Sequence, residues 1–179
     1  MRYQTVPKNR IAVLIGTKGE IKESIEKTAN VKLYIDSHSG EVEIDDSNAD
    51  ALMSLKAEMV VKAIARGFSP QRAFKIWEED VYFETINLKE YYKKNEKRIR
   101  NAKARIIGEN GRARKTIEEL SGTYISVYGH SVSIIGTYEE IELARKSIEM
   151  LLQGSKHSTI YRFLKEKRAE LVYRSLDYY

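Results

Sequence analysis

Two short stretches of this chain combine residue types suited to holding an anion, Gly16-Thr17-Lys18-Gly19 and Gly108-Glu109-Asn110-Gly111. Glycine at both ends of a four-residue turn permits positive φ and removes side chains that would keep a sugar-phosphate backbone at a distance. If a helix begins just after the turn, its first N–H groups lack backbone partners and its dipole favours negative charge. One such turn is a weak signal, because a plain helix-turn-helix corner uses glycines for packing alone. Here the two copies stand 92 residues apart. The isoleucine before the glycines (Ile15, Ile107) and the Ile-Glu pair after them (Ile25-Glu26, Ile117-Glu118) repeat at the same offset. Matched flanks of this kind indicate two structural units of one type.

The cations around the turns are unevenly shared. Between Lys93 and Lys115 there are ten Lys and Arg residues against two Glu, a net of +8, whereas Lys8 to Asn30 has five against three. The whole chain of 179 residues carries only +5. Positive charge is therefore concentrated around the second turn, which suits phosphate binding there and a salt-dependent affinity. A solvated helix face is the plainer account of a charge run, and its position on both sides of the turn argues against it. The candidate phosphate ligands are Arg105, Arg112, Arg114 and Lys115 in the second unit, with Lys18 and Lys22 in the first. Glu109 would oppose phosphate if it faced one. Ile107, Ile117 and Ile125 are candidates for an apolar floor on which bases could lie, with ordinary core packing as the alternative for each.

Elements that would position these residues follow from periodicity. Met1 to Val6 reads as a strand, Lys8 to Ile15 as a helix stopped by Gly16, and a second helix starts after Gly19. Val31 to Ile35 and Val42 to Ile44 alternate as strands around a turn of Asp36-Ser37-His38-Ser39-Gly40. A long helix from Ala49 to Ala65 follows, with Asp46-Ser47-Asn48 offering caps and Leu52, Leu55, Met59, Val60, Ala63 and Ile64 as its apolar side. Ser69-Pro70 opens a connecting helix to Glu79. The order then repeats: a strand over Val81–Leu88, helices over Lys93–Ile107 and Arg112–Leu120, strands over Tyr124–Tyr128 and Ser131–Ile135, and a helix over Tyr138–Leu152. A further helix, about Ser158 to Arg174, has no counterpart in the first half. Each unit is thus β-α-α-β-β-α, an α+β arrangement. The expected domains are 1–67, a connector at 68–80, a second unit at 81–153, and a tail at 154–179.

Composition narrows the function classes. Cysteine is absent, which removes disulfides and thiolate metal sites, and His38, His130 and His157 show no metal-ligand spacing. No metal or other cofactor is expected. Asp45-Asp46 and Glu78-Glu79-Asp80 are the densest acidic clusters, yet neither accompanies a histidine or a nucleophile, so the chain does not read as an enzyme. The first loop lacks the Gly-Lys-Ser/Thr ending of a nucleotide-binding P-loop. No window approaches a membrane span and the N-terminus lacks a signal-peptide core, so a cytoplasmic protein without membrane contact is expected.

The order β-α-α-β-β-α with Ile-Gly-x-x-Gly and a following Ile resembles the type I KH fold, whose glycine loop clamps about four nucleotides of single-stranded RNA. Ordinary members often keep a basic residue between the glycines. Lys18 fits and Glu109-Asn110 departs. The resemblance extends to Arg66-Gly67-Phe68-Ser69-Pro70, Trp77-Glu78-Glu79-Asp80, Val81-Tyr82-Phe83-Glu84 and Gly154-Ser155-Lys156-His157-Ser158-Thr159-Ile160-Tyr161. These segments are similar to those of the archaeal two-KH ribosome-assembly proteins, relatives of the eukaryotic partner-of-Nob or Dim-two family. That resemblance implies two tandem type I KH domains, binding to the 3′ region of precursor small-subunit ribosomal RNA, action on the pre-small-subunit particle, and assistance to a PIN-domain endonuclease of the Nob type. Two other readings stay open. An adaptor could dock proteins through Tyr161, Phe163, Leu164, Leu171 and Tyr173. A KH subunit of an RNA-degrading complex would normally add a β-barrel, for which no run of short strands is present.

Overall fold

The computed structural model describes residues 1–177. The chain divides into two compact units, Met1–Phe83 and the portion from Glu84 onward.

In the first unit, strand β1 (Arg2–Thr5) leads through Pro7 into helix α1 (Lys8–Ile15), a 3-10 turn over Thr17–Gly19, and helix α2 (Glu20–Ala29). Glu20 and Glu23 lie in the first turn of α2 and Lys27 in its last, so each charge suits the helix dipole. Asn30 ends it in a left-handed conformation. Strands β2 (Lys32–Ile35) and β3 (Glu41–Asp45) complete an antiparallel sheet of order β1-β3-β2, with Leu33 opposite Ile44 and Gln4 opposite Val42. Leu33, Val42 and Ile44 point inward against Leu14, Ile25 and the closing helix α3 (Ala51–Ala65).

Helix α3 starts two residues later than its sequence suggests. Its cap is Asp50, which accepts the Met53 N–H at 2.9 Å, so Asp46-Ser47-Asn48 lie outside the helix. Leu52 and Leu55 are 61% and 40% exposed, so they lie outside the core and Ala57, Val60, Val61 and Ile64 form the buried side. The segment expected as a connector packs within the first unit. Ser69 caps a single turn, α4 (Pro70–Ala73), which continues as a 3-10 turn over Phe74–Trp77. Phe68, Ala73 and Ile76 are buried, and the Lys56 ammonium donates to the Glu78 carbonyl at 2.6 Å.

The second unit repeats this plan with one insertion. Strand β4 (Tyr82–Asn87) is followed by a five-residue helix α5 (Leu88–Tyr92), and then by α6 (Glu96–Ile107). The continuous helix expected from Lys93 is therefore interrupted: Lys93 and Lys94 adopt positive φ, and Asn95 caps α6 through the Arg98 N–H. Helix α7 (Arg112–Ser121), strands β5 (Tyr124–Tyr128) and β6 (Ser131–Gly136), and helix α8 (Tyr138–Leu152) match the first half. The sheet order is β4-β6-β5. Helix α9 (His157–Leu176) packs on α7 and α8, and its Ile160 and Leu164 join a core built from Ile99, Ile106, Ile117, Ile125, Ile134 and Ile148. Tyr161, Phe163 and Leu171 pack against the same core, whereas Tyr173 is exposed.

Candidate nucleic-acid interface

The two glycine turns have the same backbone. Gly16 and Gly108 take φ/ψ of 75/177 and 73/177, Lys18 and Asn110 take 55/23 and 53/28, and Gly19 and Gly111 take 82/11 and 74/11. In each, the second glycine's N–H closes back on the first glycine's carbonyl at 3.2 Å. The amides of the two residues between the glycines, Thr17 and Lys18 or Glu109 and Asn110, have no hydrogen-bond partner among the described residues. Those are the donors an anion would meet.

The glycines within each pair do different work. A Cβ at Gly16 would sit 2.5 Å from Ile21 Cγ1 and 2.9 Å from the Ile21 nitrogen, and one at Gly108 would sit 2.6 Å from Ala113 Cβ and 2.8 Å from the Ala113 nitrogen. The first glycine lets the two helices approach, and its φ/ψ lies in a region that essentially only glycine enters. At Gly19 a Cβ would meet nothing within 4 Å, and at Gly111 only the Arg114 guanidinium at 3.9 Å. The second glycine keeps the outer surface of the turn bare, so it is the one a polynucleotide backbone could approach.

The repeated Ile-Glu pair has a structural role. Ile25 and Ile117 are fully buried. Glu26 Oε1 accepts the Leu33 N–H of β2 at 2.8 Å, and Glu118 Oε1 accepts the Ile125 N–H of β5 at 2.8 Å. A carboxylate thus clips the edge strand to the helix that follows the turn, fixing the groove between them. Lys22 and Arg114 occupy equivalent positions and face these carboxylates, with Lys22 Nζ at 4.0 Å from Glu26 and Arg114 Nη1 at 3.7 Å from Glu118. Arg114 also donates to the Ile125 carbonyl at 3.3 Å.

This geometry sorts the residues expected at the site. Gly108, Glu109, Asn110, Gly111, Arg112 and Lys115 come together at the second turn, and Arg112 and Lys115 are exposed. Gly16, Thr17, Lys18, Gly19 and Lys22 form the equivalent set in the first unit, with Lys18 exposed. Ile107 is partly exposed beside its turn, whereas Ile117 and Ile125 are buried in the core and offer no floor to a base. Arg105 is also a correction. Its guanidinium donates to the carbonyls of Leu151 and Ser155, each at 2.6 Å, and ties α6 to the end of α8. Arg10 does the same in the first unit, reaching the carbonyls of Ile64 at 2.8 Å and Phe68 at 2.6 Å. These two arginines do not share the repeat offset; they sit one turn apart on equivalent helices, so alignment of the halves hides their common role.

Lys103, within the basic run, lies four residues before Ile107 and therefore on the same face of α6, a placement that helical spacing from Ile107 signals.

Among the described residues no group of three or more His, Cys, Asp or Glu could hold a metal ion, and no helix is long and apolar enough to cross a membrane.

Known proteins share these features. A profile for the eukaryotic-type KH domain, KH-domain type I, matches residues 82–169. A KH domain-containing protein of Methanocaldococcus jannaschii is 41% identical over 93% of this chain and 73% of its own length. The pre-rRNA-processing protein PNO1 of Coccidioides immitis is 28% identical over 73% of this chain, which spans 52% of that relative. In the crystal structure of an a/eIF2alpha–aDim2p–rRNA complex from Pyrococcus horikoshii, the matching chain is 45% identical with a TM-score of 0.87, covering 94% of each chain. Two α+β units of this order, each with its glycine turn, and an alignment over nearly the whole chain lead to one assignment: the protein belongs to the PNO1/Dim2 family of KH-domain proteins.

Proposed function

We propose that this protein is an RNA-binding ribosome-assembly factor that grips single-stranded RNA at Gly108–Gly111 of its second unit. One observation carries the reading: a turn with two unpartnered amides is flanked by exposed Arg112 and Lys115, neither of them engaged with a carboxylate among the described residues. The amides of Glu109 and Asn110 orient one phosphate, the cations neutralise its neighbours, and Ile107 supplies apolar surface beside them. The exposed Glu109 side chain points the strand away from itself and toward Arg112. The first turn presents the same backbone with fewer free cations, since Lys22 faces Glu26 and Lys27 pairs with Glu23 at 2.7 Å. It serves as the secondary contact.

Family membership supports the target. One relative is named for pre-rRNA processing and another was crystallised with rRNA. The proposed ligand is the 3′ region of small-subunit precursor RNA, bound on the pre-small-subunit particle in the cytoplasm, where the protein assists a PIN-domain endonuclease of the Nob type and performs no catalysis itself. The proposed domain boundaries are 1–67 and 81–153 for the two KH domains, with 68–80 joining them and 154–179 as a tail. An adaptor role is favoured by a separate feature: Val172, Tyr173 and Leu176 are exposed on the last turns of α9, beside a cleft of about 510 Å³ that also involves Leu120 and Arg168.

The test compares affinity for unpaired RNA with affinity for heparin at matched, modest ionic strength. A clear preference for RNA is expected, and equal binding of the two would refute the reading.

A further inference from the structure

Helix α6 is twelve residues long, whereas its counterpart α1 has eight. Both end at the first glycine of their turn, so the additional residues, Glu96–Ile99, lie at the end of α6 far from the loop. In the first unit Pro7 stands where that extra turn would be.

The added turn and the residue after it are charged on one side. Ile99, Ala102 and Ile106 are the buried face of α6. Arg98 lies over the Tyr92 ring, 5.4 Å from its centroid, and Arg105 is held by carbonyls, so these two arginines occupy a flank turned to the protein. Arg100 falls instead near the line of Ile107, two turns before it, and Lys97 lies one turn further back from Arg100 and displaced toward the solvent side of the helix; both are exposed. Neither has an acidic or aromatic partner among the described residues. The adjacent carboxylate, Glu96, is engaged with His130 at 3.1 Å. From Lys97 to Ile107 the helix rises about 15 Å.

We infer that an RNA strand held at the second turn continues along α6, where Lys97 and Arg100 neutralise phosphates beyond the nucleotides gripped by the loop. This rests on the RNA-binding reading and extends it: the ligand of the second unit is a single strand longer than the roughly four nucleotides a glycine loop accommodates. The chemistry of the face selects RNA over an acidic protein. Its exposed positions are Lys97, Arg100, Asn101 and Ala104, with no large apolar anchor of the kind that centres a protein interface. The first unit keeps an exposed cation, Lys8, at the position equivalent to Arg100 and lacks only the extra turn that carries Lys97.

Labelled random-sequence RNA pools of four and eight nucleotides test this by fluorescence anisotropy across a salt series. For single strands, log affinity falls against log salt by about 0.7 per neutralised phosphate. The wild-type protein should bind the longer pool with a slope steeper by about 1.4 than that for the shorter. The double variant Lys97→Gln/Arg100→Gln should keep the four-nucleotide slope, because those charges lie about 10–15 Å along α6 from the loop, at or beyond the Debye length of about 10 Å at 0.1 M salt, and lose the extra 1.4 on the longer pool. Raising salt from about 100 to 400 mM would then weaken wild-type binding of the longer pool about sevenfold more than that of the variant. Equal slopes for wild type and variant on that pool would overturn the inference while leaving the loop as a binding site. Failure of the wild type to bind either pool would instead refute the RNA-binding reading itself.

Discussion

Placing aspartate at each glycine of the second turn separates the architecture of the site from its chemistry. At Gly108 the backbone lies at φ 73, ψ 177, and a new Cβ would press on the Ala113 nitrogen at 2.8 Å. The conformation costs about 1–3 kcal/mol for a residue with a side chain. Contact with a helix backbone that cannot yield adds about 1–3 kcal/mol more. At Gly111 the backbone is left-handed, at φ 74 and ψ 11, where aspartate is tolerated at about 1–2 kcal/mol, and the space is open. A difference of 1 kcal/mol moves the unfolding midpoint of a unit this size by about 4–8 °C. Thermal unfolding followed by circular dichroism should therefore place Gly108→Asp below Gly111→Asp, by about 10–20 °C at the middle of these ranges. RNA affinity should behave differently. Gly111→Asp keeps the fold and puts a carboxylate on the bare side of the turn, which should weaken single-strand binding at least about tenfold, or about 1.4 kcal/mol. Wild-type RNA affinity in folded Gly111→Asp would refute the site. Equal midpoints for the two variants would refute the close-approach argument.

Arg105→Gln should lower stability by about 1–3 kcal/mol, because a charged donor to two carbonyls is lost, while RNA affinity of the folded fraction stays within about twofold; a large affinity loss without destabilisation would return Arg105 to the binding site. Glu118→Ala should cost about 1–3 kcal/mol by leaving the Ile125 N–H unsatisfied. Glu118→Gln, which keeps an acceptor, should cost about 1 kcal/mol or less. Denaturant titration measures both, and equal losses would show that charge rather than the clip matters.

Much of this protein was legible in its sequence, for local physical reasons. Helix α1 stops where Gly16 follows, and α8 runs over Tyr138–Leu152 as its apolar spacing predicts. The alternation in Tyr124–Tyr128 could form only a strand with one face inward. The interruption before α6 was harder to see. Lys93 and Lys94 are residues without a breaker's signature, and only the capping of α6 by Asn95 fixes the boundary. Ile117 and Ile125 were ambiguous because an isoleucine beside a groove and one beneath it have the same chemistry. The three-dimensional arrangement put both in the core.

By itself the sequence determined the doubled unit, the glycine turns and the concentration of positive charge near the second. These depend on residue type and spacing, which act over a few positions. Tertiary structure decided which cations are free, because that depends on partners far away in the chain. Arg105 reaches carbonyls about fifty residues on and is held there, Arg114 is drawn to its neighbouring strand, and Arg112 and Lys115 remain in solvent. A charge becomes a ligand only where folding has left it without a partner.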